Sequence, residues 1–221
     1  MNGPTSPPPA PLYQKTAHWF QRATAALLGE VPCRLGCTSC CIGPFPITLL
    51  DVQVLQEGLA NLPADHRQRL EQRAIKQIVA METVFPRLTQ TTLLDEWSDQ
   101  EIDRVATAFD QHPCPALEAN GGCSVYAHRP LVCRSMGIPT ERDGLAQGAC
   151  TVQTFIPIRR LPASFRAEQD RLIQEESAAL DRLRLTTGAT GEEVFLPYGF
   201  LAQRHQEGAD KDPHSQTMET R

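Results

Sequence analysis

Cys33-Arg34-Leu35-Gly36-Cys37-Thr38-Ser39-Cys40-Cys41, running straight into Ile42-Gly43-Pro44-Phe45-Pro46, is the stretch on which the fold turns. It holds four of the chain's eight cysteines, and the other four are Cys114, Cys123, Cys133 and Cys150. Its glycines and prolines argue against regular structure. Cysteines that served as small core hydrophobes would sit on the buried faces of helices. None of the eight falls in a helix predicted from apolar periodicity. They lie in glycine- and proline-rich turns, which let a backbone wrap closely around a small object.

Working outward, Tyr13, Ala17, Phe20, Ala23 and Leu27 recur at helical spacing and predict an amphipathic helix over 13–28. Thr48-Leu49-Leu50-Asp51 is a variant capping box opening a helix that runs to near Leu59. The next helix is predicted from Pro63 to Met81, with Leu70, Ala74 and Ile78 as its stripe and Ile75 and Val79 alongside. Residues 86–97 fit helix or loop. Ser98-Asp99-Gln100-Glu101 is a fuller capping box, for a helix over 98–112 that carries Ile102, Val105, Ala106 and Phe109 on one face. Residues 114–150 read as turns and 152–158 as a short strand. A long helix is predicted over 162–185, with Phe165, Leu172, Ile173, Ala179, Leu180 and Leu183 inward. The expected fold class is mainly α: a small helical domain packed around an irregular cysteine-rich metal-binding core, with few or no strands. Residues 1–11 are a Pro-rich segment expected to be disordered, 12–202 a single domain, and 203–221 a polar tail expected to be disordered.

The 221 residues carry a formal net charge of −5, and 41% are hydrophobic, which suits one globular domain. The acidic balance excludes broad attraction to nucleic acid or anionic membrane. No apolar run approaches the roughly 20 residues of a membrane span. The start of the chain lacks the basic and apolar regions of a secretory signal, so a reducing, cytoplasmic setting is expected.

Three readings of the cysteines compete. A disulfide framework fits their even number but not the chain's size or expected compartment. A thioredoxin-like site at Cys37-Thr38-Ser39-Cys40 requires a flanking strand and helix, which Pro32 and Gly43-Pro44-Phe45-Pro46 do not supply. Metal ligation uses all eight: Cys33, Cys37, Cys40, Cys41, Cys114, Cys123, Cys133 and Cys150. Thiolates are soft anionic ligands suited to Zn²⁺ and to iron–sulfur clusters. Adjacent Cys40 and Cys41 are expected to project in different directions, into neighbouring sites or one broad cluster. The helices between Cys41 and Cys114 are expected to carry the chain away and bring it back. One dense run plus isolated cysteines is closer to iron–sulfur spacing than to the paired knuckles of zinc modules, so an iron–sulfur cluster is slightly preferred and zinc stays open. The Cx3Cx2C spacing also matches the radical-SAM triplet, but the repeated βα pattern of that enzyme class is missing.

With Pro46-Ile47-Thr48, Asp51, Cys114-Pro115-x-Leu117, Gly122-Cys123-x-Val125-Tyr126 and Arg129-Pro130-x2-Cys133-Arg134, the cysteine run resembles the CxxCxxCC (YkgJ-like) zinc- or iron-chelating family of bacteria. The resemblance covers about 33–134. It departs from the family at Thr38-Ser39, where a glycine is lost. It implies a cytoplasmic cysteine-cluster protein binding zinc or iron. Flagellin lysine N-methylases carry a related cluster, so a cluster-dependent, methyltransferase-like enzyme is the alternative. No glycine-rich cofactor loop and no catalytic motif supports that alternative.

Arg34, Arg129 and Arg134 are candidates to stand behind the thiolates, where guanidinium groups would offset negative charge and donate to sulfur. Tyr126 is a candidate to cover the site, although a partly buried aromatic is the simpler reading. His128 is expected at the surface, and His112 draws slightly more attention beside Pro113-Cys114. Asp51 and Glu101 are assigned to helix starts. The 162–185 helix is the face on which a protein partner would dock.

Overall fold

Both capping boxes form, and each starts its helix at the expected residue. Thr48 Oγ1 accepts from the Asp51 N–H (3.2 Å) while Asp51 Oδ2 accepts from the Thr48 N–H (3.3 Å). Ser98 and Glu101 exchange the equivalent pair. The computed structural model describes residues 11–27, 37–142, 145–147 and 160–201. In chain order these form α1 (Pro11–Ala26), β1 (Pro46–Thr48), α2 (Leu49–Ala60), α3 (Ala64–Val84), α4 (Asp99–Ala108), α5 (Leu131–Ser135), β2 (Thr140–Arg142), β3 (Leu145–Gln147), α6 (Ala163–Thr187) and β4 (Glu193–Phe195). Short 3₁₀ turns stand at Pro86–Thr89, Tyr126–His128 and Leu196–Phe200. The architecture is mainly α, as expected. The strands among the described residues make two antiparallel pairs, β1 with β4 and β2 with β3.

The main core lies between α2, α3 and the C-terminal segment. α3 contributes Leu70, Ala74, Ile78 and Met81, a stripe at helical spacing. Against it pack Ile47, Leu55, Leu59, Phe195, Tyr198 and Phe200, all essentially removed from water. Each such large side chain stabilises the fold by roughly 1.5–3 kcal/mol. β4 pairs with β1 in the register Pro46↔Phe195, Ile47↔Val194 and Thr48↔Glu193. The turn after it needs Gly199, because a Cβ there would lie 2.7 Å from Ile47 Cδ1. A second cluster, Trp19, Ala23, Leu27, Ile138, Leu161 and Leu172, joins α1 to α6.

Several expectations need correction. α1 begins at Pro11, where a proline's missing N–H costs nothing in a first turn, and it buries Thr16 and Trp19 rather than only the spaced residues. α3 continues past Met81 to Val84. α4 stops at Ala108, short of 112, with Phe109 ending it outside helical geometry. Ile173, expected inward, is 53% exposed on α6, and Ile75 and Val79 also face water. α6 ends at Gly188, whose φ of +69° is the left-handed conformation glycine permits. Residues 1–10, the strand expected over 152–158 and the tail over 203–221 lie outside the described residues.

Candidate metal centre

Backbone pairing brings the first cysteine run against the second. The Cys114 N–H donates to Cys41 O (2.7 Å) and the Gly43 N–H to His112 O (2.7 Å), either side of an Ile42↔Pro113 bridge. The chain thus leaves at Cys41 and returns at Cys114, as expected. Gly43 makes the crossing at φ +81°. Pro113 and Pro115 lack N–H groups, so the carbonyls of this segment find donors elsewhere. α3 supplies them: Gln77 Nε2 donates to Pro113 O (2.6 Å), and Arg73 Nη1 to Pro115 O and Leu117 O (both 3.2 Å).

Cys123 arrives on a tight reversal. Leu117 bridges Cys123, the Glu118 N–H donates to Gly122 O (2.9 Å), and Gly121 turns at φ +79°. The Glu118 carboxylate accepts from Ser124 Oγ and faces His66 (3.2 Å) and Arg73 (3.5 Å). Those bonds, that from Ser124 first, hold its carboxyl below the usual range.

Cys133 corrects the view that no cysteine is helical, because it lies within the five residues of α5. That short helix is fixed from outside. The Leu131 N–H donates to Asp51 Oδ1 (2.8 Å), which also accepts from Tyr13 Oη (2.8 Å). Asp51, only 2% exposed, therefore ties α1, α2 and α5 together as well as starting α2. Arg134 is buried against Tyr13 and donates from Nε to Arg129 O (3.0 Å) and from Nη2 to Ala127 O (2.5 Å). It shapes the turn before α5, and both bonds go to carbonyl oxygens.

The thiols sense one another. The neighbouring Cys41 thiol, first, and burial, second, push the Cys40 thiol well above its ordinary range. Burial pushes Cys114 up to about 12, with Cys123 and Cys40 adding to it. Cys123 is raised by burial, Glu118 and Cys40, and Cys133 by burial, Cys114, Asp51, Cys123 and Cys40. Four cysteines from separate segments thus share one electrostatic neighbourhood, with Cys40 common to all. Arg129 opposes the rise at Cys40 and Cys123. Its guanidinium lies 3.9 Å from the ring centre of Tyr126, which is 64% exposed rather than partly buried. His128, expected at the surface, is buried at 5% exposure, and its Nε2 has no partner among the described residues.

The six described cysteines, Cys37, Cys40, Cys41, Cys114, Cys123 and Cys133, are free thiols. Cys33, Arg34 and Cys150 lie outside the described residues. In the conformation described, no three Cys, His, Asp or Glu side chains among the described residues are disposed to hold a metal ion. The chemistry of the donor set nevertheless fits one. Thiols that resist ionisation chiefly because they are buried, and further because each would repel the next, become mutually favourable ligands once a cation replaces their protons. Sequence reasoning missed Arg73, Gln77 and the wider role of Asp51, whose partners are distant in the chain.

No helix among the described residues is long and apolar enough to cross a membrane. Residues 32–151, more than half of the chain, match the family model CxxCxxCC, described as "Putative zinc- or iron-chelating domain". No curated protein and no solved structure is significantly similar to the chain. The match spans the whole cysteine constellation described above, and on it the chain belongs to the CxxCxxCC family of zinc- or iron-chelating domains.

Proposed function

We propose that the chain binds its metal through Cys40, Cys114, Cys123 and Cys133, with Cys33, Cys37, Cys41 and Cys150 supplying further thiolates, and that the centre ties the domain together. The observation that carries this reading is the backbone crossing that pairs Cys114 with Cys41, beside which Cys40 helps to raise the thiols of Cys114, Cys123 and Cys133. The single dense run followed by isolated cysteines favours an iron–sulfur cluster over zinc. When bound, such a centre supplies positive charge and strong bonds to sulfur. The protein's part is to present the donors and balance their charge. Arg129, held on Tyr126, faces the thiolates with a guanidinium that can donate to sulfur. Arg134 supports it by holding the carbonyls of Ala127 and Arg129. Free thiols and a metal centre suit a reducing cytoplasm.

The test is elemental and sulfide analysis, with an absorption spectrum, on protein purified without oxygen. Stoichiometric iron and sulfide with broad visible absorption are expected. Colourless protein holding stoichiometric zinc would overturn the iron reading and retain chelation, whereas protein empty of both metals would overturn chelation itself. Addition of a chelator should lower the unfolding temperature, because ligands gathered from remote segments couple binding to folding.

A further inference from the structure

A cavity of about 300 Å³ opens where α1, β1, α2, α5, α6 and β4 meet, and none of its lining residues among those described is a cysteine. Its hydrophobic walls are Trp19, Ile47, Leu172 and Ile173. Its charged lining groups are Asp51, Glu176 and Glu193, and among the described residues no lysine, arginine or histidine faces it. We propose that this cavity is a binding site for a small organic cation, an ammonium group on a hydrocarbon body.

The charges around it support a missing partner. Three acidic residues on α6 and just beyond it have found cations: Glu168 with Arg22, Glu175 with Lys15 (2.7 Å) and Glu192 with Arg184 (2.6 Å). Glu176 and Glu193 have neither an ion pair nor a side-chain hydrogen bond among the described residues, and the groups acting on them are other carboxylates. Asp51 is already saturated by Tyr13, Leu131 and Thr48, so it contributes charge rather than a vacant acceptor. Burial, then Asp51 and Glu193, push Glu176 up to about 7. A cation seated among these groups reverses that penalty.

The guest is organic rather than a bare metal. These carboxylates do not form a group able to hold a metal ion, and the walls offer hydrocarbon surface. The volume is at the small end of ligand pockets, with room for on the order of ten heavy atoms. An ammonium head would face Glu176 and Glu193 while its apolar body lies on Trp19 and Leu172.

The test is calorimetric titration of the full, metal-loaded chain with hexylamine, its neutral isostere hexanol, and Mg²⁺. Saturable binding of hexylamine is expected, at least about tenfold tighter than hexanol, and at least about tenfold weaker in Glu176→Gln. The Glu176→Gln/Glu193→Gln variant should bind no better than wild type binds hexanol. Metal content and circular dichroism establish that the variants are folded. Should they not fold, the comparison of amine and alcohol on the wild-type chain decides alone. Hexanol binding as tightly as hexylamine, binding of Mg²⁺ only, or no saturable amine binding overturns the proposal. Because none of the described cysteines lines the cavity, such a failure leaves the reading of the thiols untouched.

Discussion

Replacing Asp51 by alanine removes one buried carboxylate and leaves two buried donors, Tyr13 Oη and the Leu131 N–H, without their acceptor. Each buried polar group left unpaired costs about 1–3 kcal/mol. Loss of the capping interactions with Thr48 adds about 1 kcal/mol. The sum, about 3–7 kcal/mol, rivals the whole stability of an ordinary domain, about 5–15 kcal/mol. Urea unfolding of metal-loaded protein, followed by tryptophan fluorescence, should show that loss. Asp51→Asn keeps an acceptor and discards the buried charge, so its cost should be near 1–2 kcal/mol. Tyr13→Phe should cost a similar amount, and the double variant should reveal coupling because both residues share one bond. The pH dependence has a definite sign. Burial raises the Asp51 carboxyl above its ordinary value, so the folded state holds that proton more tightly than the unfolded chain. Stability from this group is present at low pH and is lost as pH rises through the folded value, so the deficit of Asp51→Asn should shrink toward neutral pH. Because Leu131 opens the helix that carries Cys133, Asp51→Ala should also release metal faster to a chelator. A loss below about 1 kcal/mol in Asp51→Ala would refute the reasoning, since no unpaired buried donor is that cheap.

Gly58→Ala places a methyl 2.6 Å from His128 Cβ, and the resulting overpacking of about 1–3 kcal/mol should exceed the helix-propensity gain of about 1 kcal/mol. Thermal denaturation should show a lower midpoint, and a higher one contradicts the close packing of α2 on the Tyr126–His128 turn. Arg73→Met frees the carbonyls of Pro115 and Leu117 and should speed metal loss to a chelator, whereas unchanged kinetics would mean that α3 does not brace the cysteine segment. Glu176 sits near 7 when folded against an ordinary 4.5, so its ionisation costs stability as pH rises through about 7. Glu176→Gln should therefore raise the unfolding midpoint relative to wild type more at about pH 8 than at about pH 5.5, and a difference independent of pH would contradict that account.

What the sequence revealed was local. The two capping boxes, the α3 stripe of Leu70, Ala74 and Ile78, and the turn at Gly121 depend on neighbours within a few residues, so their signals are complete in a short window. The segment from Glu193 to Phe200 went unread because its order comes from β1 and the core, far away in the chain. Asp51 looked like a helix start and nothing more, since its other partners stand 38 and 80 positions away. Tyr126 and His128 exchanged their expected exposures: the one-turn helix between them directs His128 toward Gly58 and leaves Tyr126 outside under Arg129. The cysteines were conspicuous from the start, but which of them sense one another follows from the crossing of Cys41 with Cys114 and the docking of α5. The cavity had no sequence signal, because its three carboxylates come from three different elements.

X-ray absorption fine structure at the edge of the bound metal reads the central claim most directly, because it counts the atoms bonded to that metal. The account predicts a shell dominated by sulfur, at about 2.3 Å if the metal is zinc, with the sulfur contribution falling in Cys40→Ser and in Cys123→Ser. A shell of nitrogen and oxygen alone, or one unchanged by either substitution, would contradict it.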